Sequence, residues 1–247
     1  MIESAEPDAP SDRGEVNNTG DIVETALILG RWGWPQYFDD AERIVRDHML
    51  PAQLRDHSFI VEPPNPTDQN RKRQVADRHL GAFGFPAPYG HQPVGREMIS
   101  FNMDIVGGAV ASLCGVLREV TRLDKAGHWI NLLFDHETDA IKVQSPYTYG
   151  AMRLTVKHRA PLFVRMPPWL VRETMRISGV AAPRQTQSYL FIADPPVRRP
   201  ITIEFKLPIR ELVLRHRSRD IRVRLRGDHV VEMDSFGSDL TFFDELK

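Results

Sequence analysis

A chain of 247 residues that is 41% hydrophobic and 26% charged has an ordinary globular composition, with room for one large domain or two small ones. Its formal net charge of -1 sets up no global field towards nucleic acid or an anionic membrane. The single cysteine, Cys114, excludes an intrachain disulfide and a cysteine-built zinc cluster, and no apolar run is long enough to cross a bilayer as a helix.

Residues 1–14, MIESAEPDAPSDRG, are acidic and rich in Pro and Ser, which predicts a disordered tail. They carry no positive segment followed by an apolar one, so they do not read as a signal peptide. GEVNNTGD, Gly14 to Asp21, reads as a polar turn, and an apolar helical pattern follows it. Ile22, Ala26 and Leu29 recur at helical spacing, with Val23 and Leu27 beside them. Asp21 and Glu24 have the spacing of a capping box. Pro35 is suited to open a second helix, with Phe38, Ala41, Ile44, Val45, His48 and Met49 as its apolar stripe. Asp39, Asp40 and Glu42 crowd its first turns, where the helix dipole favours anions.

From Glu62 to about residue 97 the periodicity fails, and Pro and Gly are dense. So long a connection is disordered or functional. Phe83, Phe85, Tyr89 and His91 argue against simple disorder: the rings either line a sugar pocket or pack on the scaffold. A third helix follows, with Asn102 or Asp104 as cap and a broad face of Ile105, Ala109, Leu113, Val116, Leu117 and Val120. Gly107 and Gly108 in its first turns admit a close neighbour, either a packed helix or a ligand. Cys114, inside this apolar run, is expected to be buried.

After Gly127 the period switches to alternation, and short strand-like runs separated by turns continue to the end. Many short strands predict a sandwich. In FDHETD, Asp135 and Glu137 share one strand face and His136 the other, which suits a strand end better than a metal site. The arginines from Arg215 to Arg226 alternate along a strand and are interrupted by Asp220 and Asp228, so they read as a solvated sandwich edge and not as a nucleic-acid surface. The fold class is α+β: helices first, then antiparallel β.

The segments GEVNNTGDIVETALILGRWGWPQYFDDAERIVRDHMLPAQL, DIVGGAVASLCGVLREV, HWINLLFD, PLFVRMPPWL and ITIEFKLPI, in that order, resemble the late helices and the β-sandwich of glycoside hydrolase family 127, the β-L-arabinofuranosidase-like proteins. The resemblance implies a C-terminal portion of a six-hairpin (α/α)6 toroid. Residues 15–126 would be its helical part, with a long loop at 62–97, and residues 127–247 the sandwich. It also implies a cysteine nucleophile bound to zinc, held by a Glu-x-Cys element and a later Cys-Cys pair. Glu15 matches the first element, but Asn17 stands in the place of its cysteine. The later pair falls near Asp104 and Ile105, and neither is a cysteine. Zinc-thiolate chemistry therefore does not carry over, and no metal or cofactor is expected.

What remains is a pair of carboxylates, Glu15 and Asp104, expected near helix N-termini at one end of neighbouring hairpins. One would act as acid and the other as nucleophile or base, with burial or mutual repulsion raising one pKa. Asn17, Tyr89 and His91 are the expected substrate contacts. The alternative for Asp104 is a helix cap, and for Glu15 a surface turn. Three helices do not close a toroid, so the expected partners are a carbohydrate substrate and a chain supplying the missing barrel helices. Three functions follow: a glycoside hydrolase-like part of a larger or split enzyme, a non-catalytic carbohydrate- or protein-binding sandwich module, or a fragment without independent activity.

Overall fold

The computed structural model describes residues 16–53, 55, 77, 80–83, 103–186, 188–215, 220–234 and 244–245, with the backbone alone for 103–106 and 244–245. The predicted tail therefore lies outside the described residues, as does most of the 62–97 loop.

The first helix, α1, is Val16–Arg31, and it begins inside the stretch that reads as a polar turn. Asp21 is thus no cap: its carbonyl accepts from Thr25 Oγ1 at 2.8 Å within the helix. Tertiary contact overrides the local turn signal of the Asn-rich stretch, because Val16 and Gly20 are buried against neighbouring helices. Helix α2, Tyr37–Ile44, follows a short turn and continues as a π-helical turn at Val45–Met49. Helix α3 is Met103–Val120, so Asp104 falls in its first turn and does not cap it. A one-turn helix, α4, Pro146–Tyr149, starts at Ser145 and interrupts the strands.

Fourteen strands are described: β1 Thr121–Asp124, β2 Gly127–Ile130, β3 His136–Glu137, β4 Ile141–Gln144, β5 Met152–Val156, β6 Leu162–Arg165, β7 Arg176–Ser178, β8 Arg184–Gln185, β9 Tyr189–Ile192, β10 Pro200–Glu204, β11 Ile209–Arg215, β12 Asp220–Arg226, β13 His229–Met233 and β14 Asp244–Glu245. They form three sheets, ordered β1-β2-β6-β9-β8, β3-β4-β5-β10-β7 and β11-β12-β13-β14. Pairing is antiparallel except between β2 and β6 and between β13 and β14. The expectation of an all-antiparallel arrangement is corrected at those two pairs.

Alternation along the strands sends one side-chain set of each five-stranded sheet inward. Ile130, Leu162, Val164, Leu190 and Ile192 from the first sheet share one cluster with Ile141, Val143, Leu154, Ile201 and Ile203 from the second. Each such side chain contributes on the order of 1.5–3 kcal/mol by leaving water. A second cluster holds Val23, Ala26 and Leu27 of α1, Phe38, Ala41, Val45 and Met49 of α2 and its π turn, and Ala109, Val116 and Val120 of α3. Phe83 is buried in this helical core, so for that ring the packing alternative holds.

The helices are arranged in a definite order. Contacts between α1 and α3 advance together along both chains: Asn17 with Gly108, Gly20 with Ser112, Leu27 with Gly115, and Arg31 with Glu119. The two helices therefore run parallel. Helix α2 runs the other way, with Phe38 packed on Gly30 and Met49 on Gly20. A Cβ on Gly20 would lie 2.3 Å from Ser112 Oγ, and one on Gly108 would lie 2.7 Å from Asn17 Cβ. Glycine at these two positions is what lets the parallel helices touch.

Candidate functional site

The α1–α3 seam has one end at Asn17 and Gly108. Asn17 Oδ1 is buried and has no hydrogen-bond partner among the described residues. A buried amide oxygen without a partner calls for an explanation, because leaving it unpaired costs about 1–3 kcal/mol. Asp104 lies one turn before Gly108 on α3, and Glu15 immediately precedes α1 in sequence. Glu15, Tyr89 and His91 lie outside the described residues, and Asp104 is placed by its backbone only.

Down the seam, Ser112 Oγ donates to Glu24 Oε1 at 2.8 Å and approaches the Gly108 carbonyl oxygen at 3.1 Å. Glu24, which reads as part of a capping box, is instead a mid-helix carboxylate held by the next helix. A groove of about 330 Å³ follows the seam, with Glu24 and Arg31 on one wall and Arg118 and Glu119 on the other. Arg31 Nε lies 3.3 Å from Glu119 Oε1. Burial raises the Glu119 pKa above its ordinary value, opposed by Arg31, Arg122 and Arg118. Glu119 is three residues beyond the buried Val116 and next to Val120, so its place on the buried side was legible in the helical period.

The zinc set of the resembling family does not fit these residues. An Asn amide stands where a thiolate is needed, and Cys114 is exposed, roughly 15 Å along the α3 axis from Asp104 at 1.5 Å per residue. Its expected burial is corrected: the α1–α3 contact turns Ala109, Ser112 and Val116 inward, and Cys114 falls outside that stripe. Leu117, on the expected apolar face, is likewise exposed. Among the described residues no cluster of three His, Cys, Asp or Glu side chains could hold a metal ion. In FDHETD, Asp135 accepts from Ser145 N at 2.6 Å and Thr148 Oγ1 at 2.7 Å, while Glu137 bridges Lys142 and Lys157. Those are turn and strand-end roles.

A second group of charges, which the sequence pattern hid, ties helix to sheet. Arg165 on β6 is buried and donates to Asp39 and Glu42 of α2 and to the Asn131 carbonyl. Glu42 also accepts from Arg46 Nη2 at 2.9 Å and from Leu133 N at 2.9 Å. The Arg46 guanidinium stacks over Tyr147 at 3.9 Å and Phe134 at 4.1 Å. Burial pushes the Glu42 pKa up against the pull of Arg46, and burial brings Arg165 down to about 10. Asp39, Asp40 and Glu42 read as dipole residues in the sequence, and two of the three, half-buried Asp39 and buried Glu42, are ion-pair partners of Arg165. In the π turn, Asp47 Oδ1 accepts from Val230 N at 2.9 Å and fastens β13 to the helices.

Two arginines of the arginine-rich segment are matched in charge. Arg222 pairs with Asp234, and Arg224 with Glu211 and Glu232. Its strand, β12, lies between β11 and β13, which corrects the expectation of a sheet edge. Among the described residues no helix is long and apolar enough to cross a membrane.

Solved structures share an overall similarity with this chain. The GH127 β-L-arabinofuranosidase of Geobacillus stearothermophilus T6 matches with a TM-score of 0.57 and 16% identity, over 92% of this chain and 38% of its own. A second GH127 β-arabinofuranosidase gives a TM-score of 0.59 and 16% identity over 92% of this chain and 38% of its own. A protein described as a glycoside hydrolase gives 0.58 and 13% over 88% of this chain and 37% of its own. The fold of this chain is similar to a part of the fold of these GH127 glycosidases. This chain spans less than two fifths of the length of each of these structures. No family model matches it, and no curated protein does.

Proposed function

We propose that this chain is the C-terminal part of a glycoside hydrolase-like protein that cleaves arabinofuranosidic bonds. Residues 15–126 would be a slice of an (α/α)6 barrel, and residues 127–247 would be its β-sandwich. The observation that carries this reading is the seam end where Asn17 meets Gly108. Parallel helices put the starts of α1 and α3 at one end, which supports Glu15 and Asp104 as neighbours there. Two carboxylates flanking a glycosidic bond can divide its chemistry: one protonates the departing oxygen, and the other attacks the anomeric carbon or activates water. Asn17, with its unpaired buried oxygen, would accept from a sugar hydroxyl, with Tyr89 and His91 as further contacts.

A chain supplying further barrel helices is the proposed partner. Ile22, Ile28, Val110 and Leu117 stand exposed on α1 and α3, where neighbouring helices would cover them. The test is hydrolysis of an aryl arabinofuranoside by the assembled protein. Glu15→Gln is expected to abolish turnover, and unchanged turnover would sink the assignment.

A second reading, a non-catalytic sugar-binding module, is favoured by one observation: an amide replaces the family's thiolate at Asn17. Glycan binding by this chain, with no hydrolysis by any assembly, would decide for it.

A further inference from the structure

The first sheet has a row of side chains on its outer face that neither core uses. Strand register aligns Arg122 with Trp129, Trp129 with Phe163, Phe163 with Phe191, and Phe191 with Arg184 across all five strands. Trp129 stacks on Phe163 with ring centroids 4.0 Å apart and planes 9° apart. Tyr189 meets Trp129 edge-on at 5.2 Å. Helix α2 covers one end of this face, where Arg165 binds Asp39 and Glu42. Between the covered end and the aromatic row lies a cleft of about 370 Å³, walled by Arg31 and Pro35 on the helical side and by Arg122, Trp129, Asn131 and Tyr189 on the sheet side.

We infer that this cleft is a binding subsite for a neutral saccharide, separate from the Asn17 end of the seam. Gly30, in the cleft wall, is thirteen residues beyond Asn17 on α1, or about 20 Å at 1.5 Å per residue. The cleft combines an apolar platform with a few fixed polar groups, as small-molecule sites do. One face of Trp129 is taken by Phe163, and the indole N–H donates to Asp124 at 3.0 Å. Arg122 flanks Trp129 on its other side in the register, and the half-buried Trp129 and Tyr189 rings that line the cleft offer apolar surface to the C–H face of a sugar.

The polar wall is preorganised. Tyr189 Oη donates to Asn131 Oδ1 at 3.0 Å, and the Asn131 carbonyl is held by buried Arg165. Charge favours a neutral occupant over an acidic sugar: Arg31 is paired with Glu119 and Arg122 with Asp124, so both cations of the cleft wall already face a carboxylate.

The choice of sugar rests on the function proposed above, and the test keeps the two separable. The full chain is titrated with neutral arabinose oligosaccharides by calorimetry, with an oligogalacturonide as the anionic control. Saturable binding of the neutral sugar alone is expected, with Trp129→Ala weakening it about tenfold through loss of the stacking face. Should Trp129→Ala fail to fold, Arg122→Ala tests the same wall, because it removes only an exposed pair. Glu15→Gln should bind at this cleft like the unmodified chain even where it abolishes hydrolysis. No binding by the unmodified chain, equal binding by Arg122→Ala and Trp129→Ala, or preference for the anionic control would overturn the proposal. So would loss of sugar binding once a helical partner chain is added.

Discussion

Arg165 and Glu42, on β6 and α2, form a buried ion pair that joins the sheet to the helices. Neither charge could stay there alone. Removing one partner of an isolated buried pair costs about 3–5 kcal/mol, and less is expected here because Asp39 still faces Arg165 and Arg46 still faces Glu42. Glu42→Gln and Arg165→Met should each lower stability by about 2–3 kcal/mol, and Glu42→Gln combined with Arg165→Met should cost clearly less than the sum of the two. Chemical denaturation of the four proteins gives the cycle. Strictly additive losses would mean that the two residues do not act as a pair.

Gly107 and Gly108 should respond oppositely to alanine. Nothing lies within 4 Å of a Cβ on Gly107, so alanine there should stabilise helix α3 by about 0.5–1 kcal/mol. At Gly108 the new methyl would meet Asn17, and forcing the helices apart should cost roughly 1–3 kcal/mol. Thermal melts of the two variants would show the opposite signs. Equal effects would mean that the α1–α3 contact is looser than described.

Glu137 should titrate far into acid. Lys157 and Lys142 hold its carboxyl down to about 2, from an ordinary value of 4.5. A lowered folded-state pKa gives stability that is present above pH 4.5 and is lost as pH falls from 4.5 towards 2. The group is exposed, so the effect on unfolding should be small, and the clear readout is its carboxyl carbon signal in an NMR titration. Lys157→Met should move that midpoint upward. An unmoved midpoint would assign the shift to another cause.

Cys114 should react with a thiol reagent in the folded chain, since it is exposed on α3. Its side chain lies between Val110 and Leu117, the exposed residues that a further barrel helix is proposed to cover. Assembly with such a partner should slow labelling. Rapid labelling in a stable complex would place the partner elsewhere.

Much of this protein was legible before its structure. The helical period of Phe38, Ala41, Val45 and Met49 marked a buried face, whereas on α1 the expected stripe of Ile22, Ala26 and Leu29 is displaced: Val23, Ala26 and Leu27 are buried and Ile22 is exposed. Alternation in Ile201 to Ile203 marked a strand, because the β period of two is written there directly in residue type.

Tertiary structure decided the rest. Val16 to Gly20 is helix because it packs on α3, although its residues locally favour a turn. Glu42 and Arg165 are far apart in the chain, and no period in either segment says that one waits for the other. Cys114 faces out because the orientation of α3 follows from its contact with α1. The aromatic row from Trp129 to Phe191 exists only through strand register, which pairs β2 with β6 and β6 with β9. Sequence fixes what a side chain prefers over a few residues. Which distant side chains meet is set by how the elements dock, and that is a property of the whole chain.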